Sequence, residues 1–182
     1  GAGIFYYGVP YFLKARVCVC LGSGGGYVPR LMVDCVHELN ETQMYPEDTF
    51  GEVYVVDATN GFNGEVDWSD EDSFLREKFN PRFINSTTTD AFYNFFVKRD
   101  VKIDYLHTYE GCKLDFDLYS TIMNENGIIS IHDTDRKYWE NFETYDGEEH
   151  DSCTGPSEVV KEVSNKWEVF NLFDYREKNE TI

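Results

Sequence analysis

Basic residues are scarce in this chain. Lys and Arg number 16 against 34 Asp and Glu, a formal net charge of −18 at pH 7. Phosphate backbones need cations that displace their counterions, so this balance excludes nucleic acid as a partner and disfavours anionic membrane surfaces. A small neutral or cationic ligand fits it. No apolar run approaches the ~20 residues of a membrane span, so no membrane association is expected. The opening segment has no basic n-region and no cleavage-like end, so no secretory signal is expected there. Disulfide and zinc signatures are missing as well. The cysteines are Cys18, Cys20, Cys35, Cys112 and Cys153, an odd number without a C-x-x-C pair. Cys18 and Cys20 alternate in an apolar run, share one face, and read as buried reduced thiols. Reduced thiols imply an intracellular compartment, with the cytoplasm expected. Repeats and low-complexity tracts are also absent. The 182 residues are expected to form a single domain, 1–182, with a sizeable core. The abrupt start at Gly1-Ala2-Gly3 fits a domain excised from a longer protein. The oligomeric state is not legible.

What is present is concentrated in one stretch. The apolar run Val17-Cys18-Val19-Cys20-Leu21 leads directly into Gly22-Ser23-Gly24-Gly25-Gly26. Leu31, Met32, Cys35 and Val36 then recur at helical spacing. A strand, a glycine turn and a helix N-terminus together present backbone N–H groups to a ligand, at a place where a Cβ would block close approach. The glycine pattern is G-x-G-x-G. The hydride-transfer fingerprint G-x-G-x-x-G fails here, because Tyr27 or Pro29 stands at its last glycine position.

Strands and helices alternate along the chain. Strands are expected at 16–21, 52–57, 82–85, 102–106 and 128–132. Helices are expected at about 28–39, 70–79 (with Ser69 as cap), 88–97, 111–123 and 157–164, and a last strand, antiparallel at the edge, at 167–173. The segments 40–51 and 58–70 read as loops. This order predicts an α/β fold, an open, mainly parallel sheet with helices on both faces. Ligands bind such sheets outside the carboxyl ends of the strands.

Polar residues collect at those ends. Asp57 closes strand two and can accept hydrogen bonds from two ribose hydroxyls; the long 40–51 loop then separates it from the glycine turn. Residues 87–90 follow strand three. His107 follows strand four, in His107-Thr108-Tyr109-Glu110. His132-Asp133-Thr134-Asp135 follows strand five. Histidine suits proton transfer near neutral pH, and Asp133 can orient a base or hold a hard cation. Trp139, Phe142, Tyr145 and the acidic stretch 146–151 read as a solvated loop, with a lid as the functional alternative, and His37 and His150 read as surface residues.

These residues together resemble class I S-adenosylmethionine-dependent methyltransferases over residues 17–173, which implies a Rossmann-like doubly wound sheet. The turn 21–26, the end Val55-Val56-Asp57 and the segment 103–135 carry the resemblance. The segment 103–116 with 127–134 is similar to the sugar and small-molecule O-methyltransferase branch, of the macrocin O-methyltransferase kind, and to methyltransferase domains of glycan-building proteins. The resemblance implies S-adenosylmethionine as cofactor and a small-molecule or glycan substrate. Gly22, Ser23, Gly24, Gly25 and Gly26 would pass beneath its methionine part, Asp57 would hold the ribose, and Thr88 and Asp90 would lie near the adenine. His132, His107 and Asp133 would form the catalytic set, with Asp133 at a position that often binds a divalent cation such as Mg or Mn. The family usually carries an acidic segment, I-D-x-D-H, between the positions of Leu106 and Thr108. Here only His107 stands between them, so Asp133 alone carries over as a metal residue. Two other readings compete: a nicotinamide-dependent oxidoreductase, and a non-catalytic nucleoside- or glycan-binding module.

Overall fold

Short apolar runs bounded by glycine and polar residues form the strands. The computed structural model describes residues 3–46, 48–58, 68, 74–108, 112–131 and 154–170. Within these, β1 (Val17–Leu21), β2 (Glu52–Asp57), β3 (Arg82–Asn85), β4 (Ile103–Thr108) and β5 (Met123–Ile131) form one sheet in the order β3-β2-β1-β4-β5. All four pairings are parallel. The helices are α1 (Gly3–Leu13), α2 (Tyr27–Glu41), α3 (Phe74–Phe79), α4 (Thr88–Ala91), α5 (Cys112–Tyr119) and α6 (Thr154–Val163). The fold is α/β and doubly wound, as expected. The strand order reverses between β1 and β4, so the crevice of the sheet opens at the carboxyl ends of those two strands.

The alternation of side chains along β1 divides the core into two layers. Cys18 and Cys20 face α1 and α2 and pack with Met32, Val36, Val53 and Tyr105. Val19 and Leu21 face the opposite layer, with Val56, Phe92, Phe96, Leu106 and Tyr119. The two cysteines do share one face, as free thiols, and burial pushes both well above the usual thiol range.

Four boundaries differ from expectation, each for a physical reason. Residues 3–13 contain no charged residue, so no amphipathic pattern marks them, yet they form α1. That helix lays Tyr6 and Pro10 inward and packs on α2 and β4. Strand β4 runs to Thr108, not 106, because both neighbours keep pairing with it: Cys20 and Ser130 flank His107, and Leu21 and Ile131 flank Thr108. Strand β5 starts at Met123, the last residue of the helix expected at 111–123, and not at 128. Ile103 pairs with Met123 and Tyr105 with Ile128, so the polar residues between form a bulge. Gly127 permits it, since a Cβ there would lie 3.0 Å from the Ile103 carbonyl oxygen. The last expected strand does not form over 167–170. The backbone N–H groups of Lys166 and Trp167 both donate to the Val163 carbonyl, which keeps the chain turning, and Trp167 packs against Phe116 instead. Residues 171–173 lie outside the described residues.

The helix expected at 88–97 is α4 followed by a wider π-helical turn, Phe92–Val97. Its Phe92 and Phe96 pack edge-on against Tyr119, and Phe96 also against Tyr54. This aromatic block anchors the helix that follows the end of β3.

Candidate functional site

The glycine turn leaves β1 under tight backbone constraint. Gly22, Gly24 and Gly26 have φ of 78°, 48° and 74°, conformations that only glycine adopts cheaply. The Gly22 N–H donates to the Val56 carbonyl at 2.9 Å, and the Gly26 N–H to the Ser23 carbonyl at 2.8 Å. Among the described residues, nothing lies within 4 Å of where a Cβ on Gly24 would stand, so there the turn presents bare backbone. Behind it, the Arg30 Nε donates to the Gly26 carbonyl at 2.9 Å and its terminal nitrogen reaches the Gly25 carbonyl at 3.4 Å. These two bonds hold the start of α2, where no side chain caps the helix.

Asp57 meets this turn directly. The Ser23 backbone N–H donates to Asp57 Oδ2 at 2.8 Å, and Ser23 Oγ donates to the same oxygen at 2.7 Å. Ser23 is buried and Asp57 half-buried. The long 40–51 loop therefore does not keep Asp57 from the glycine turn: parallel pairing of β1 with β2 puts Leu21 beside Val56 and delivers Asp57 to the rim. Two donors on one oxygen fix the plane of the carboxylate. A half-buried carboxylate so oriented is suited to accept hydroxyl donors from a ligand.

The end of β3 lies next to this clasp. Asp57 pairs with Asn85, and the Ser86 N–H donates to the Asp57 carbonyl at 3.2 Å. Thr87 then caps α4, accepting from the Asp90 N–H at 3.1 Å while its hydroxyl donates to the Asp90 carboxylate at 3.0 Å. This exchange resembles a capping box. Thr88 is half-buried, and its carbonyl accepts from the Tyr119 hydroxyl at 2.8 Å. Ser23, Asp57 and the cap of α4 thus stand along one rim, as expected.

His107 stands differently from expectation. It lies within β4 rather than beyond its end, and its side chain is only 2% exposed. Its ring meets Tyr6 edge-on at 4.9 Å between centroids, and Nδ1 stands 3.5 Å from Ser130 Oγ. Helix α1, unread in the sequence, covers it. His132 and Asp133 lie outside the described residues.

Sequence reasoning missed a buried acid near this rim. Asp115 on α5 is 1% exposed, and its Oδ2 accepts from Thr108 Oγ1 at 2.9 Å. The Thr88 side chain lies near the same carboxyl group. Burial raises the Asp115 carboxyl above the usual carboxylate range, and the two threonine hydroxyls oppose that rise. The signal available was the spacing of Asp115, Tyr119 and Ile122, an inward helical stripe with a carboxylate in it.

A cation site is not supported by these residues. Among the described residues, no group of three or more His, Cys, Asp or Glu side chains could hold a metal ion. β4 passes from Leu106 through His107 to Thr108 with no acidic segment between.

The methyltransferase-domain family matches residues 19–134, from β1 to just past β5. The chain belongs to that family. The family assignment replaces the oxidoreductase alternative, in keeping with the missing glycine of the hydride-transfer fingerprint. Solved methyltransferases share the fold at low identity. An O-methyltransferase from Bacillus cereus, in complex with S-adenosylhomocysteine, is 13% identical with a TM-score of 0.64, over 90% of this chain and 69% of that one. An O-methyltransferase of tomaymycin synthesis from Streptomyces achromogenes, in complex with S-adenosylmethionine, is 9% identical with a TM-score of 0.62, over 91% and 68%. A methyltransferase from Geobacter sulfurreducens is 10% identical with a TM-score of 0.53, over 78% and 68%. No curated protein matches this methyltransferase-family chain in sequence.

Proposed function

We propose that this chain is an S-adenosylmethionine-dependent O-methyltransferase acting on a hydroxyl of a sugar, a glycan or a similar small molecule. The observation that carries the proposal is the clasp of Ser23 on Asp57 beside three left-handed glycines, in a chain of the methyltransferase-domain family. The solved neighbours in complex with S-adenosylmethionine and S-adenosylhomocysteine support the cofactor and the oxygen acceptor. The sugar class rests on the resemblance of segment 103–134 alone.

When bound, the cofactor supplies a methyl group on a cationic sulfonium, open to attack by an oxygen nucleophile. The bare turn at Gly22–Gly26 gives it backbone close enough for contact. Asp57 accepts from its ribose hydroxyls, with Ser23 holding the carboxylate in place. Thr88 and Asp90 border its adenine side. The chain's remaining task is to hold the acceptor oxygen in line and to take its proton. His132 takes that proton, with Asp133 orienting the base. His107 supports from beneath, since Tyr6 and Ser130 enclose its ring. The acidic surface favours the sulfonium over its neutral product.

A non-catalytic cofactor-binding module is the second reading. The short passage from the end of β4 at Thr108 to the start of α5 at Cys112 favours it. Transfer of a labelled methyl group from S-adenosylmethionine to a panel of sugars, glycosides and phenols separates the two. Label in sugars supports the proposal, label in phenols alone would move the acceptor class, and label in none would favour the module.

A further inference from the structure

Among the basic residues whose burial is described, Arg30 alone is half-buried; the others are exposed. It stands on α2, four residues beyond Gly26, and its guanidinium is fixed along one edge. Nε donates to the Gly26 carbonyl at 2.9 Å, and one terminal nitrogen reaches the Gly25 carbonyl at 3.4 Å. A guanidinium has five N–H donors, and these contacts use two. The fork between the two terminal nitrogens is left, the edge that meets a carboxylate with two parallel bonds. Gly25 is exposed, so the terminal nitrogens stand at the open part of the turn.

The two carbonyls account for the held edge but not for the charge. A neutral amide could also donate to a carbonyl. A cation partly removed from water costs free energy unless a counter-charge meets it. Acidic residues number 34 against 16 basic ones, yet no carboxylate among the described residues forms an ion pair with Arg30. The first turn of α2 also contains no acid. S-adenosylmethionine carries one anionic group, the carboxylate of its amino-acid end. A net charge of −18 works against that group, so its binding calls for a cation there.

We propose that Arg30 binds the carboxylate at the amino-acid end of the cofactor, through the fork that the glycine carbonyls leave free. This rests on the methyltransferase reading, which lays Gly22–Gly26 beneath the methionine part. One side chain then both braces the turn and recognises the ligand on it.

The test uses the full chain and two compounds: S-adenosylhomocysteine, and its decarboxylated analogue, which lacks only the carboxylate. Each is titrated calorimetrically into wild type, Arg30→Gln and Arg30→Lys, and each protein is also melted without ligand. Wild type should bind S-adenosylhomocysteine about tenfold more tightly than the analogue. Arg30→Gln should lose about tenfold toward S-adenosylhomocysteine and little toward the analogue, so that the preference disappears. Arg30→Lys keeps the charge without the fork and should fall between. If Arg30→Gln does not fold, wild type and Arg30→Lys carry the test. Equal losses toward both compounds would overturn the inference, leaving Arg30 a brace of the turn alone. So would a lower melting temperature with unchanged affinities, or a wild type that binds both compounds equally. Failure of wild type to bind either compound would defeat the methyltransferase reading and this inference with it.

Discussion

The clasp on Asp57 makes a sharp expectation for the substitution Asp57→Asn. Both Ser23 donors, the N–H at 2.8 Å and the hydroxyl at 2.7 Å, converge on Oδ2. Asparagine keeps one acceptor oxygen, and the two donors will capture it. The amide nitrogen then takes the place of Oδ1, where a ligand hydroxyl needs an acceptor. The turn should keep its geometry while the ligand side changes from acceptor to donor. A hydrogen bond to a charged group contributes about 1.5–3 kcal/mol, so loss of one such bond weakens binding by about 10- to 150-fold. Asp57 is only half-buried, which places the effect toward the lower end. Calorimetric titration with S-adenosylhomocysteine reads the affinity, and thermal unfolding of the free protein reads the turn. Affinity within twofold of wild type would refute the argument. So would a large fall in melting temperature, since it would mean that Asn cannot satisfy Ser23.

Other expectations follow from the same geometry. Gly24→Ala places a Cβ at φ 48° and costs about 1 kcal/mol of stability, read as a lower urea midpoint. Its Cβ meets no atom of the described residues within 4 Å, so an accompanying loss of S-adenosylhomocysteine affinity reports contact with the ligand. Cys18, Cys20 and Cys35 are buried with thiols pushed upward by burial, Cys35 to about 12. Peptide mapping after iodoacetamide at pH 8 should find these three unlabelled in the native protein and labelled in urea. Asp115 has a folded-state pKa raised by burial, so its ionised form is penalised in the folded protein above that pKa. As pH falls through it the penalty disappears. The stability of wild type relative to Asp115→Asn should therefore rise as pH is lowered from neutral toward the acid range, as read from urea midpoints across pH. A constant difference would contradict this.

The parts of the site legible in the sequence were those written in local chemistry. Strand β2 and strand β3 lie at their expected residues because Gly51, Asn80 and Pro81 punctuate them. The glycine turn follows β1 as its composition demands. Misreadings came where tertiary pairing overrode local composition. His107 and Thr108 look like a polar strand end, yet two flanking strands extend β4 through both. Asn124-Glu125-Asn126-Gly127 looks like a helix stop, yet Ile103 and Asp104 on the neighbouring strand draw it into a bulge. Helix α1 gave no signal because it is apolar on every side: Tyr6 packs inward while Phe12 is 88% exposed. Asp115 was hidden because a carboxylate in a helix reads as a solvated face until its neighbours are known.

The central claim is that the rim of Ser23, Asp57 and the glycine turn holds S-adenosylmethionine. Calorimetric titration of the intact chain with S-adenosylmethionine and with S-adenosylhomocysteine tests it most directly. One-to-one binding of both in the micromolar range is the expected result. A folded protein that binds neither would contradict it.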